Sequence, residues 1–213
     1  MIEFPKIQTL YDRDEKTRKV LIDKVRLPEF LAIKEWSVTE KLDGTNLRVG
    51  YSDGKIDIGG RTDNAQIPTF LLSYLRDTFT VDKFAQAFPD GGNVVLFGEG
   101  YGEKIQKGGG NYRKGVALRL FDVMVGEWWL ERDGVIDVAS KFNILPVPEL
   151  GTITYLPQFA TDLKTVLRGG QSIAAQEDGG AGLEAEGIVA RSVPMLFNRR
   201  GHRVMWKLKF RDF

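Results

Sequence analysis

The sequence predicts an α+β domain built on antiparallel sheets. Runs that alternate apolar and polar residues outnumber stretches of helical spacing, and the helical stretches interrupt the strands without the strict alternation of a parallel sheet. Neither nucleotide-binding loop signature of the parallel α/β folds is present. Gly98, Gly100 and Gly102 lack the G-x-G-x-x-G spacing, and no G-x-x-x-x-G-K-[ST] occurs.

The elements follow in order. A strand is expected at residues 37–41. Residues 47–61, LRVGYSDGKIDIGGR, are two alternating runs around Ser52, Asp53 and Gly54, which is hairpin chemistry. IPTFLLSYLRDTF at 67–79 has amphipathic helical spacing with Pro68 in its first turn, and residues 81–88 continue it or begin another helix. Strands are expected at 94–98, 117–125, 187–191 and 203–210. Shorter helices are expected at 135–142 and at 162–167, the latter with Thr161 as N-cap. Glycine runs at 108–110 and 179–182 mark two flexible loops, and the only candidate linker is 176–182. With no internal repeat, residues 1–213 are expected to form one domain.

Composition excludes several chemistries. The 213 residues contain no cysteine and one histidine, so there is no disulfide framework, thiolate zinc site, Cys nucleophile or multi-histidine metal site. His202 lacks the G-x-S-x-G elbow that would support a Ser-His-Asp triad. The segment MIEFPKIQTLYDRDEK carries early charge and no long apolar run, so neither a signal peptide nor a membrane span is expected. A soluble, cytoplasmic protein with no membrane partner is the expectation.

A net charge of +1 hides an uneven distribution. Residues 101–119 hold five basic and one acidic residue, residues 120–190 four basic and eleven acidic, and residues 191–213 seven basic and one acidic. Two basic segments could therefore meet something anionic while the rest of the surface stays acidic.

The segment Glu40-Lys41-Leu42-Asp43-Gly44-Thr45-Asn46 falls where one strand ends in a tight turn and another begins. A lysine there can project from a rigid strand end into a cleft. To act as a nucleophile it must lose its proton, which desolvation or nearby positive charge favours and the neighbouring Glu40 and Asp43 oppose. In Val204-Met205-Trp206-Lys207-Leu208-Lys209-Phe210, alternation puts Trp206, Leu208 and Phe210 on one face and Lys207 and Lys209 on the other. Two such cations would favour the neutral amine of Lys41 and grip a phosphate.

K-x-D-G alone is a common turn, and K-x-K on a strand is usually an exposed face. Their meaning comes from an ordered set that also contains Gly60-Arg61-Thr62, Phe97-Gly98-Glu99, Leu120-Phe121-Asp122-Val123 and Glu184-Ala185-Glu186-Gly187-Ile188-Val189. In this order the motifs resemble those of the covalent nucleotidyltransferase superfamily of ATP-dependent ligases and capping enzymes. Thr45-Asn46 after the lysine motif, and FGEGYG running into Lys104-Ile105-Gln106-Lys107-Gly108-Gly109, look most like the RNA ligase branch. DNA ligases tend to carry arginine where Asn46 stands. The resemblance spans the chain from about Val38 onward. It implies an ATP-grasp-like nucleotidyltransferase domain with the nucleotide held between two antiparallel sheets.

Carried over by position, the resemblance implies that Lys41 attacks the α-phosphorus of ATP to form lysyl-AMP. Arg61 would contact ribose or phosphate with its planar fork. Glu99 would bind the ribose hydroxyls or help place a metal, and Phe121 would stack on adenine, although ALRLFDVMV taken without the other motifs reads Phe121 as a core aromatic. Asn46 joins the nucleotide-binding set, and Glu40 stands where the family recognises adenine. Glu186 would bind Mg2+ or Mn2+, directly or through water, while Lys207 and Lys209 contact the α-phosphate and stabilise the transition state.

Ligation then passes AMP to a 5′-phosphate end and joins that end to a 3′-OH. The implied partner is RNA, or DNA in a minimal DNA ligase. Lys104, Lys107, Arg113 and Lys114, and Arg199, Arg200 and Arg203, are the candidate strand contacts, with Tyr112 able to stack on a base. Two features depart from the family pattern. Only four residues follow Lys209, leaving no room for a C-terminal OB-fold module, whose work would fall to the domain surface, a protein partner or a longer natural protein. Asp43 stands where phage-type RNA ligases often carry histidine. The competing expectations are a minimal DNA ligase, a guanylyltransferase, and a nucleic-acid-binding module without turnover.

Overall fold

A computed structural model describes residues 1–154, 156, 170–180 and 182–212. The chain packs as two compact units, unit I from Met1–Phe4 with Asp43–Val147 and unit II from Pro5–Leu42 with Pro148–Phe213. The chain passes between them after Phe4, after Leu42 and after Val147. The 176–182 segment read as a linker lies within unit II, where its first residues belong to a helix.

Among the described residues, unit II contains β1 (Gln8–Thr9), β2 (Tyr11–Arg13), β3 (Val20–Val25), β4 (Trp36–Lys41), β11 (Glu149–Ile153), β12 (Gly187–Ser192) and β13 (Met205–Lys209), and a short α-helix, α4 (Ile173–Glu177). Its five-stranded sheet has the order β1-β13-β12-β4-β11, and β2 pairs with β3 separately. The period of two divides the sheet cleanly. Trp36 and Val38 of β4, Ile188 and Ala190 of β12, and Trp206 and Leu208 of β13 enter one core with Leu10, Tyr11 and Phe30. Trp36 and Trp206 meet edge to face with ring centroids 5.7 Å apart. The polar residues between them occupy the opposite face.

Unit I contains β5 (Thr45–Ser52), β6 (Lys55–Gly60), β7 (Val94–Gly102), β8 (Val116–Val125), β9 (Trp128–Trp129) and β10 (Leu145–Pro146), with helices α1 (Thr69–Thr78), α2 (Val81–Ala87) and α3 (Arg132–Lys141). The sheet order is β10-β8-β7-β5-β6, with β9 on β8. Asp53 and Gly54 both have positive φ, 51° and 71°, the backbone that a two-residue hairpin with the native twist requires. Leu71 and Leu75 of α1, Phe84 of α2, and Val135 and Val138 of α3 pack on Leu47, Val49, Leu96, Leu118 and Leu120 of the sheet. The Thr80 side chain accepts the N–H of Lys83, an N-cap that makes 81–87 a new helix and not a continuation of α1.

β7 runs four residues further than expected, to Gly102, because its glycines suit close packing. A Cβ at Gly98 would stand 2.6 Å from Leu118, and one at Gly100 would stand 2.6 Å from Leu47. β13 is shorter than expected, since Phe210 opens a 3-10 turn (Phe210–Asp212). The expected helix at 162–167 with its Thr161 cap lies outside the described residues. Among the described residues no helix is long and apolar enough to cross a membrane.

Candidate active site

Lys41, Gly187 and Lys209 stand in one register row across β4, β12 and β13, and Thr39, Val189 and Lys207 form the next row on the same face. Both rows face away from the tryptophan core, as alternation along 204–210 implied. The carboxylate of Glu186, one residue before β12, is shared between the two outer lysines. Its Oε2 lies 2.5 Å from Nζ of Lys41, and its Oε1 pairs with Nζ of Lys209. Lys41 also donates to the carbonyl of Leu42 at 3.3 Å. All three charged side chains are four-fifths buried or more, so their charges are only weakly screened by solvent.

Gly187 makes this convergence sterically feasible. A Cβ there would stand 2.0 Å from the carbonyl oxygen of Leu208 and 2.7 Å from Cα of Lys209, so only glycine lets β12 approach β13 this closely. On the same face Arg191 donates to Thr39 Oγ1 at 3.1 Å. Sequence reading passed over Arg191, although the alternation of Gly187, Val189 and Arg191 in β12 points to it.

Glu40 is placed differently from its neighbour. Alternation turns it to the core side of β4, where it is buried, and both carboxylate oxygens are engaged. Oε1 accepts from Ser172 Oγ at 2.5 Å, and Oε2 accepts from the N–H groups of Ile173 and Ala174 at 2.9 and 3.0 Å. Ser172 Oγ also accepts the N–H of Ala175, completing the N-terminal cap of α4. The expectation that Glu40 opposes deprotonation of Lys41 is therefore corrected. The carboxylate on Lys41 is Glu186, and Glu40 anchors the end of the strand that carries Lys41 to α4.

In unit I, the face of the sheet opposite the helices gathers the other expected residues. Asn46 of β5, Glu99 of β7 and Arg119 of β8 form one register row, and Arg48, Phe97 and Asp122 form the next. Between the rows lies a β-bulge, since Phe97 pairs with Asp122 and Gly98 with Leu120. The extra residue is Phe121. The bulge moves core-facing residues from even to odd numbers along β8 and turns Phe121 out of the core, as bulges near functional sites commonly do. Phe121 is half-buried, with Phe4 edge-on at 5.0 Å. The Oδ1 atom of Asn46 is buried and has no hydrogen-bond partner among the described residues, so it calls for a donor from a ligand or water.

Arg61 is exposed, immediately after β6. The loop that carries it is held by Arg48, which sequence reading did not single out. The fully buried guanidinium of Arg48 donates to the Gly60 carbonyl at 2.7 Å, to Asp63 Oδ1 at 2.8 Å, and to the carbonyls of Met1 and Ile2 at 3.1 and 3.2 Å. The guanidinium beside Asp63 holds that carboxyl below its ordinary range, by hydrogen bonding first and charge second.

The glycine run 108–110 belongs to a loop with its own packing. Glu103 N–H bonds the Gly115 carbonyl at 2.7 Å, a 3-10 turn forms at Gly109–Asn111, and a Cβ on Gly109 would stand 1.9 Å from the Gly102 carbonyl. Lys104, Lys107 and Lys114 are exposed on this loop, and Arg113 is half-buried. Tyr112 is buried with its ring edge-on to Tyr101 at 5.6 Å, which corrects the expectation that it stacks on a base. Arg199 and Arg200 are exposed at a hairpin tip in unit II, where Asn198 Oδ1 accepts the N–H groups of Arg200 and His202. Half-buried Arg203 pairs with Phe197 at the base of that tip. Among the described residues no three Asp, Glu or His side chains cluster as a ready metal cage.

This fold is similar to that of solved RNA ligase structures from Naegleria gruberi. A Lys-to-Met variant with AMP and Mn matches with TM-score 0.62 and 20% identity over 97% of this chain and 57% of that one. An Arg-to-Ala variant with ATP and Mn matches with TM-score 0.62 and 20% identity over 99% and 60%. The same ligase with PPi matches with TM-score 0.62 and 22% identity over 97% and 61%. The chain therefore spans about three-fifths of the length of these structures. The RNA ligase family model matches residues 34–209, and the chain belongs to that family. No curated protein matches it at a significant level.

Proposed function

We propose that the chain is the adenylyltransferase domain of an ATP-dependent RNA ligase, working through lysyl-AMP. The observation that carries this reading is the convergence of Lys41 and Lys209 on Glu186, on the polar face of a sheet whose other face is a tryptophan core. Supporting it, the Naegleria gruberi RNA ligase structures of similar fold are of that ligase with AMP and Mn, with ATP and Mn, and with PPi.

In the proposed reaction the neutral Nζ of Lys41, its proton lost to water, attacks the α-phosphorus. The N–P bond forms as the bond to the bridging oxygen breaks, and pyrophosphate leaves with that electron pair. Lys207 and Lys209 stabilise the charge that builds on the α-phosphate oxygens. In the roles that the family resemblance implies, Phe121 stacks on adenine, Glu99 takes ribose hydroxyls, Asn46 Oδ1 accepts from the ligand, and Arg61 contacts ribose or phosphate. AMP then passes to the 5′-phosphate of RNA, and attack by a 3′-OH joins the ends and releases AMP. Lys104, Lys107, Arg113, Lys114, Arg199 and Arg200 contact the strand phosphates.

Glu186 is the residue suited to hold Mg2+ or Mn2+. A single carboxylate fits an ion that keeps most of its waters and binds substrate phosphates, and the absence of a ready cage among the described residues agrees with that mode. Bound there, the ion supplies positive charge that favours the neutral amine of Lys41 and screens the triphosphate.

The test is incubation with labelled ATP, GTP or NAD followed by denaturing electrophoresis, then joining of paired RNA and DNA nicks. Label from ATP that Lys41→Ala abolishes, with joined product from RNA 3′-OH nicks, is the expected result. Label from GTP alone, or label that survives Lys41→Ala, overturns the reading. Strand binding without label would mark a module that does not turn over.

A further inference from the structure

The tight turn after Lys41 is held by two residues, Tyr112 and Gln106, to neither of which the family resemblance gives a role at the lysine. The hydroxyl of Tyr112 accepts the N–H of Asp43 at 3.1 Å, and Nε2 of Gln106 donates to the carbonyl of Gly44 at 2.9 Å. On the turn's other side β7 leaves no slack, since a Cβ at Gly44 would stand 2.3 Å from the Gly100 carbonyl. Tyr112 is itself fixed. Its ring packs edge-on to Tyr101, whose hydroxyl accepts Nε–H of Arg119 at 3.0 Å, and Arg119 stands in register with Glu99.

We propose that Tyr112 is a positioning residue for lysine adenylylation, assisted by Gln106, which together fix the backbone of the Asp43–Gly44 turn that immediately follows the nucleophile's strand. This rests on the ligase reading and adds a device to it. A flexible lysine reaches an in-line attack geometry often enough only if the backbone on both sides of it is immobile. Glu40 fixes the strand side through α4, and Tyr112 fixes the turn side. Gln106 and Tyr112 belong to the same self-packed loop as the exposed cations Lys104, Lys107 and Lys114. The element proposed to meet RNA phosphates is therefore also the one that grips the nucleophile's turn.

Tyr112→Phe removes the hydroxyl and keeps the ring on Tyr101. In single-turnover labelling with ATP, the rate constant for lysyl-AMP formation should fall about ten-fold, with KM for ATP within two-fold and the amplitude unchanged. A merely structural role would lower the amplitude, as misfolded enzyme is lost, and leave the rate constant of the folded fraction intact. That result overturns the proposal. Gln106→Leu alters an exposed side chain that folding does not require, and a rate constant equal to wild type in both variants also overturns it. Amide hydrogen exchange at Asp43 gives a readout independent of activity. Faster exchange in Tyr112→Phe supports the clamp, equal exchange overturns it, and absence of label on the wild-type protein counts against the ligase reading alone.

Discussion

Nζ of Lys41 lies 2.5 Å from Oε2 of Glu186, although 145 residues separate them in the chain. The same carboxylate holds Lys209, so one anion balances two cations in a pocket of low exposure. Removing a partner from such a set leaves a charge that solvent compensates poorly.

Glu186→Gln keeps the shape and removes the charge. The two lysines then repel each other, and the hard oxygen donor for a divalent ion is weakened. Lysyl-AMP formation should fall about 100-fold or more. Single-turnover labelling at saturating ATP checks this, and a change of less than about three-fold would show that the bridge is dispensable.

Gly187→Ala should damage both fold and chemistry. The new Cβ meets the Leu208 carbonyl at 2.0 Å, so β12 must move away from β13. Overpacking of this kind costs about 1–3 kcal/mol, and for a chain of this size that is a Tm loss of roughly 2–12 °C. Thermal unfolding combined with labelling tests the pairing, because activity should fall further than the folded fraction.

Glu40 offers a separation of fold from chemistry. In Glu40→Gln one carbonyl oxygen remains to serve Ser172 and two backbone N–H groups, and an amide donor is forced toward other donors. A loss of about 2–3 kcal/mol is expected. Chemical denaturation should show a lower midpoint with an unchanged slope. If stability is unchanged, the carboxylate is not the anchor of α4.

Arg48 and Asp63 set an acid-side dependence. Because the guanidinium depresses the Asp63 carboxyl in the folded state, its contribution is complete above the ordinary value of 3.8 and is lost as pH falls through the lower folded value. Asp63→Asn should remove this contribution at neutral pH, a small loss because Asp63 is exposed, and flatten the profile below about pH 4, where the two proteins converge. Arg48→Met should raise KM for ATP several-fold by releasing the loop that carries Arg61. If KM stays at the wild-type value, Arg48 does not hold Arg61 for binding.

Local patterns made much of this readable in advance. The hairpin at 47–61 follows from Asp53-Gly54, and the two faces of β13 follow from period-two spacing, which by itself puts Lys207 and Lys209 on one surface. Short elements were harder. β1, β9 and β10 have two residues each, too few for any period, and their pairing comes entirely from neighbouring strands. The bulge at Phe121 is likewise invisible in ALRLFDVMV, because only the register of β7 against β8 shows which residue is extra.

The sequence alone determined the class of sheet, the two faces of the last strand, and the short motifs that hold Lys41, Glu186, Lys207 and Lys209, since each of these is local. Only the tertiary structure decided which carboxylate meets Lys41. Glu40 is adjacent in the chain, yet strand alternation sends it to the opposite face, and the register of β4 with β12 brings Glu186 instead. It also decided that Tyr112 is a buried support for the turn after Lys41. A side chain's neighbours across a sheet are fixed by pairing and packing, which no run of residues carries by itself.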